Sequence, residues 1–164
     1  MKNYNRIIFD LFERELSLIP EQFLNEEICL RSIKYDWVSF RHVPEQFLSE
    51  KFIHKALLIN EEVFKFIPEL LITTKMVNYV IKKNKSLFFN IPKKLLTKDL
   101  CMMVIKHNPR DYVKDIPIEF IPYLIEECIK EDPRSIVFFP KKCITKQIMD
   151  LAVSALSEIE NKIK

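Results

Sequence analysis

The apolar positions of this chain fall into columns that return about every 24 residues, each set hinged on a proline. Pro20, Pro44, Pro68, Pro92, Pro117 and Pro140 are spaced 24, 24, 24, 25 and 23 residues apart. Each follows a bulky apolar residue: Ile19, Val43, Ile67, Ile91, Ile116 and Phe139. Four positions before the proline stand Leu16, Phe40, Phe64, Phe88, Val113 and Ile136, and apolar pairs such as Phe23-Leu24 and Phe47-Leu48 stand three and four after it. Spacings of three and four predict short helical segments with one buried face. A fixed period in this range marks stacked supersecondary units, not a single globular core.

Five residues after the prolines come Asn25, Ser49, Thr73, Thr97 and Thr145. Their side-chain oxygens suit them to cap a helix N-terminus, where they accept an orphan backbone N–H. In the fifth repeat Pro122 holds this place, and it fits the first helical position better. A longer helix is predicted after each cap, with apolar residues at i, i+1, i+4 and i+5. Its copies are Ile28-Cys29-Ser32-Ile33, Phe52-Ile53-Ala56-Leu57, Met76-Val77-Val80-Ile81, Leu100-Cys101-Val104-Ile105, Leu124-Ile125-Cys128-Ile129 and Ile148-Met149-Ala152-Val153. These helices end at Asp36, Asn60, Asn84, Asn108 and Asp132, residue types that either close a helix in the left-handed conformation or cap the next segment. A second, shorter helix follows, as over Trp37 to Val43.

The expected fold is therefore all-α: an α-solenoid of about six helical hairpins forming one domain over 1–164. Residues 1–18 would supply a leading helix, 19–145 the repeats and 146–164 a closing helix. Both terminal helices would cap the stack with polar outer faces.

Two stretches, Val43-Pro44-Glu45-Gln46-Phe47 and Asn25-Glu26-Glu27-Ile28-Cys29-Leu30, carry a resemblance. Over roughly residues 17 to 156 the chain resembles an uncharacterised family of short helical repeats that read V-P-E-x-L, then T-x-E-I-C-L-x-A-V-x-x-N. The resemblance implies a helical-repeat fold and no particular activity. The glycine usual in that family after the Asn/Asp column is missing here, so the turn must close differently.

The chain contains no glycine at all. P-loops, dinucleotide fingerprints and nucleophile elbows need it for tight turns or close backbone approach, which argues against three large enzyme classes. Asp10, Glu13 and Glu15 interrupt the N-terminus, and no apolar run reaches the roughly 20 residues of a membrane span. A soluble, cytoplasmic protein is expected. Cys29, Cys101, Cys128 and Cys143 are far apart with no C-x-x-C, which predicts reduced core thiols and no zinc site. His42, His54 and His107 fall in different columns and read as solvated. Acid pairs such as Glu26-Glu27, Glu61-Glu62 and Glu126-Glu127 do not face each other on a helix and read as surface charge. No catalytic residue, metal, cofactor or small-molecule substrate is expected.

Charge adds one feature. Residues 71–115 carry 10 basic and 3 acidic groups, whereas 1–70 carry 9 and 12 and 116–164 carry 7 and 8. Lys34, Lys82, Lys106 and Lys130 share a column near the helix C-termini. They either complement the helix dipole or form a basic patch. Beside them, Tyr79, Met102 and Met103 stand in a column that is exposed unless the twist of the stack buries it. The expected function is a non-enzymatic adaptor or inhibitor that binds a protein, centred on Tyr79, Lys82, Lys83, Met102, Met103, Lys106 and His107. The alternative is a nucleic-acid binder using the basic band over 82–106.

Overall fold

The computed structural model describes residues 2–12 and 14–163, and every regular element among them is a helix. The α-helices are α1 (Lys2–Leu11), α2 (Glu26–Tyr35), α3 (Glu50–Ile59), α4 (Thr74–Lys83), α5 (Lys98–Ile105), α6 (Pro109–Tyr112), α7 (Ile121–Glu131) and α8 (Lys146–Ile163). The chain divides into two compact units, an N-terminal one over 1–90 and a C-terminal one over 91–164. In the N-terminal unit α2 packs between α1 and α3. The 3₁₀ segments Leu16–Leu18, Trp37–His42, Glu61–Phe66 and Lys85–Asn90 pack in succession as a second layer. In the C-terminal unit α7 lies against both α5 and α8, and Pro133–Phe138 packs on α6, α7 and α8.

The caps form as their residue types require. Asn25 Oδ1 accepts the Ile28 N–H at 3.1 Å and Ser49 Oγ that of Phe52 at 3.2 Å. Thr73, Thr97 and Thr145 accept from Met76, Leu100 and Ile148, each at 3.3 Å. Pro122 is the second residue of α7, not the first, because Ile118–Phe120 runs directly into the helix and Ile121 is already helical.

The junctions settle how a chain without glycine turns. Asp36, Asn60, Asn84, Asn108 and Asp132 have φ between −157° and −139°, extended backbone and not the left-handed region. Their amides each close the preceding helix by donating to the carbonyl four residues back, as Asn60 does to Ala56 at 3.0 Å. The side chains of Asp36, Asn60, Asn84 and Asp132 then cap the next segment by accepting the N–H two residues on, at 2.8 to 3.0 Å. Asn60→Ala should lose about 1 kcal/mol of stability, while Asn60→Asp should stay within about 0.5 kcal/mol of the parent, as read by thermal unfolding.

The expected shorter helix is a 3₁₀ helix: Trp37–His42, Glu61–Phe66, Lys85–Asn90 and Pro133–Phe138. Only six residues separate the junction from the residue before proline, and the junction carbonyl already bonds three residues on, as Asp36 does with the Ser39 N–H at 3.0 Å. In a 3₁₀ helix positions i and i+3 eclipse. That aligns Phe40 with Val43 and Phe64 with Ile67, and all four are buried. Proline then ends the segment. Ile19, Val43, Ile67, Ile116 and Phe139 adopt the extended conformation that a following proline imposes. Each repeat proline's carbonyl accepts the amide three residues on at 2.8 to 2.9 Å.

The terminal helices depart from expectation. Of the leading segment 1–18, Met1 and Glu13 lie outside the described residues, and α1 stops at Leu11. The Arg14 N–H donates to the Phe9 carbonyl at 3.0 Å, with Arg14 itself left-handed at φ 67°. Of the closing segment, Lys164 lies outside the described residues. Both helices expose apolar side chains among their polar ones: Tyr4, Ile7 and Leu11 on α1, and Met149, Val153 and Ile159 on α8. Elsewhere the i, i+1, i+4, i+5 stripe is buried throughout, but in α8 only Ile148 and Ala152 are. The other two α8 columns, those of Met149 and Val153, are columns that in α2 and α7 lie beneath neighbouring helices.

Candidate grooves on the long helices

The side of each long helix away from the 3₁₀ layer carries the residues available to a partner. In the N-terminal unit its first part is laced together. Asn5 Nδ2 donates to Glu27 at 2.9 Å, Asn25 Nδ2 to Asn5 at 3.2 Å, and Arg31 pairs with Glu27 at 3.2 Å. Lys55 on α3 reaches Glu26 on α2 at 3.4 Å. Further along, α3 and α4 flank an open groove of about 130 Å³, with Glu50, His54 and Leu57 opposite Thr73, Met76 and Tyr79. In the C-terminal unit α7 and α8 flank a groove of about 470 Å³, with Pro122 and Glu126 opposite Thr145, Gln147 and Ile148. These are equivalent positions. Glu50 and Pro122, His54 and Glu126, Thr73 and Thr145, Met76 and Ile148 are each 72 residues apart, three periods of the repeat. Equivalent helix columns therefore build an open groove in each unit.

The residues singled out from sequence fall in both units. In the N-terminal unit Tyr79 is half-buried and lines the α3–α4 groove, and Lys82 and Lys83 are exposed in the last turn of α4. Neither lysine has an acidic partner among the described residues. In the C-terminal unit Met102 and Met103 on α5 are half-buried, which places them between the exposed and buried alternatives. His107 is exposed. Lys106 is exposed as well, but its ammonium donates to Glu131, and that bond raises its pKa. Lys130 bonds Glu127 at 2.6 Å, which lowers the Glu127 pKa and raises its own. In this unit the basic column is thus largely neutralised by carboxylates from α7. Lys106 and His107 also line a cavity of about 220 Å³ with Glu131, Asp132 and Ser135.

Column reading missed two surface features. Trp37 stacks on Phe66 at 5.5 Å between centroids, with Lys65 over the Trp37 ring and Arg41 over Phe66. The two rings occupy different columns, so only the packing of neighbouring 3₁₀ segments brings them together. Leu70, in the short segment after Pro68, is 90% exposed.

None of the four cysteines is paired with another: Cys29, Cys101 and Cys128 are buried and Cys143, beside the α7–α8 groove, is half-buried. His42, His54 and His107 are all exposed. Among the described residues no three His, Cys, Asp or Glu side chains are placed to hold a metal ion, and no helix is long and apolar enough to cross a membrane. No protein-family model, characterised protein or solved structure matches this chain.

Proposed function

We propose that this chain is a non-enzymatic protein-binding adaptor or inhibitor, built as an α-solenoid of about six helical hairpins. The observation that supports this reading is the recurrence of an open groove at equivalent helix positions in each compact unit. A groove with an apolar wall and a polar rim suits a segment of another protein, whose side chains enter it at intervals. Tyr79, with Lys82 and Lys83 beside it, is the anchor of the N-terminal groove. An aromatic and two unneutralised cations favour an acidic partner segment.

A photo-crosslinking residue placed at His54 or Glu126, on the groove walls, should capture one and the same protein from native lysate. The same residue at Glu45 or Lys141, on the proline side, should not. Capture only from the proline side would overturn the groove assignment. Lys82→Glu with Lys83→Glu should weaken that capture at least tenfold while helicity and melting temperature hold.

Nucleic-acid binding remains as a second reading because Lys82 and Lys83 have no acidic partner among the described residues. It requires affinity that falls steeply with salt, since counterion release dominates phosphate contacts. The neutralisation of Lys106 and Lys130 ranks it behind the first.

A further inference from the structure

Three of the chain's six arginines meet in one place, within the N-terminal unit. Arg6 on α1, Arg14 in the turn after it and Arg31 on α2 line an open groove of about 360 Å³, with Lys34 beside them. Arg31, Lys34 and Tyr35 stand three and four positions apart and so share one face of α2. Arg14, whose backbone is left-handed, lays its guanidinium over the Tyr35 ring at 5.1 Å, a contact that places a cation without neutralising it. Two carboxylates answer these four cations. Asp10 is shared by Arg6 and Arg14 at 3.6 Å from each, beyond ordinary hydrogen-bond length. Glu27 pairs with Arg31 at 3.2 Å and also accepts from Asn5 Nδ2 at 2.9 Å. Lys34 has no acidic partner among the described residues. Four cations against two carboxylates leave the groove with about two positive charges.

We propose that the α1–α2 groove binds the phosphate group of a small molecule, with Arg6, Arg14 and Lys34 as its donors. A guanidinium presents a planar fork that meets phosphate oxygens two at a time, and a phosphate dianion matches the charge left over in the groove. Its volume is that of a small-molecule site. The cationic surface also ends where the groove ends: residues 1–70 carry 9 basic and 12 acidic groups, so no basic track continues along the unit for a nucleic-acid backbone or a membrane. On the other side of Arg14 and Tyr35 lies a second cavity, of about 370 Å³. There Arg41 and His42 are offset by Glu15 and Asp36, which leaves no comparable surplus. The phosphate groove is separate from the one between α3 and α4, and its residues are not those assigned to a protein partner.

The test is calorimetric titration of the 164-residue chain with inorganic phosphate and with pyrophosphate, at constant ionic strength and a pH of about 7.5, where phosphate is largely dianionic. Both should bind saturably at one site, pyrophosphate the tighter. Arg6→Gln and Lys34→Gln, both at exposed positions, should keep the parent's circular dichroism and each weaken binding about tenfold, the usual worth of a hydrogen bond to a charged group. Lys82→Gln with Lys83→Gln, on α4, should change nothing. Absence of saturation by roughly 20 mM of either anion overturns the proposal. Equal weakening by the α4 variant, or none in Arg6→Gln and Lys34→Gln, overturns it too, since the attraction would then be general and not local. Malonate, a dicarboxylate of similar charge, binding more tightly than phosphate would assign the groove to carboxylates instead. Cosedimentation with phosphatidylserine vesicles, or affinity that climbs with the length of a single-stranded oligonucleotide, would assign it to a macromolecule and overturn the proposal equally.

Discussion

Phe52→Ala should lower the stability of the N-terminal unit by about 3–5 kcal/mol, a large share of what a domain has to lose. The Phe52 side chain is fully buried on α3, and its ring lies 6.4 Å from that of Phe40 in the 3₁₀ layer. Truncation removes one aromatic contact between the two layers and leaves a void that a close-packed interior fills only in part. The chain's single tryptophan, Trp37, sits on the same 3₁₀ segment as Phe40 and gives the readout. The urea midpoint followed by Trp37 fluorescence should fall by roughly 1–3 M, given the usual denaturant slope. Leu70→Ala, at the most exposed apolar position, should move it by less than a quarter of that. Equal effects from the two substitutions would mean that the buried stripe is not what holds the layers together.

The thiols should separate just as sharply. Burial pushes the Cys29 thiol up to about 12 from its ordinary 9.0, and Cys101 and Cys128 up to about 11. At pH 8 a shift of that size cuts the reactive thiolate by about a hundred- to a thousandfold, before steric protection is counted. Native protein treated with iodoacetamide should therefore carry one label, on half-buried Cys143, and four after unfolding in urea. A second native label acquired at a similar rate would place one of the three buried thiols in water. The same shifts fix a pH dependence. These thiols stay protonated in the folded chain after the unfolded chain has begun to ionise. Their contribution is complete below about pH 9 and is lost as pH rises through 11 to 12. The alkaline loss of stability should accordingly be smaller if all three are replaced by alanine or valine.

Much of the fold was legible because a repeat states each position several times over. Asn25, Ser49, Thr73, Thr97 and Thr145 announce the same cap, and the structure makes the same bond at each. The shorter segments were less legible. Over six residues, Phe40 and Val43 satisfy the i, i+3 spacing of an α-helix and of a 3₁₀ helix alike, and only the junction's hydrogen bonds decide between them. The end of α1 was not legible, since it depends on the backbone of Arg14, a residue type that carries no turn signal. Met149 and Val153 read as buried because their columns are buried elsewhere, yet a column is buried only where a neighbour covers it. The partner of Lys106 was not legible either: the carboxylate that pairs with it, Glu131, comes from the following repeat, 25 residues along the chain.

The extended junctions carry a consequence for how the protein ages. Their backbone suits any L-residue, so the requirement falls on a side-chain oxygen alone, and Asp36 and Asp132 meet it as well as Asn60 does. Spontaneous hydrolysis of the Asn60 amide to aspartate would replace one cap by another and change only the charge. Asn84 has no such tolerance, because its amide nitrogen donates to Glu62 at 2.7 Å and the hydrolysed form would set two carboxylates face to face. Asn108 is in the same position, with its amide held by Asp111 at 2.6 Å. Conversion to α-linked aspartate is thus tolerated at one junction and disruptive at two, a difference among asparagines that occupy the same column.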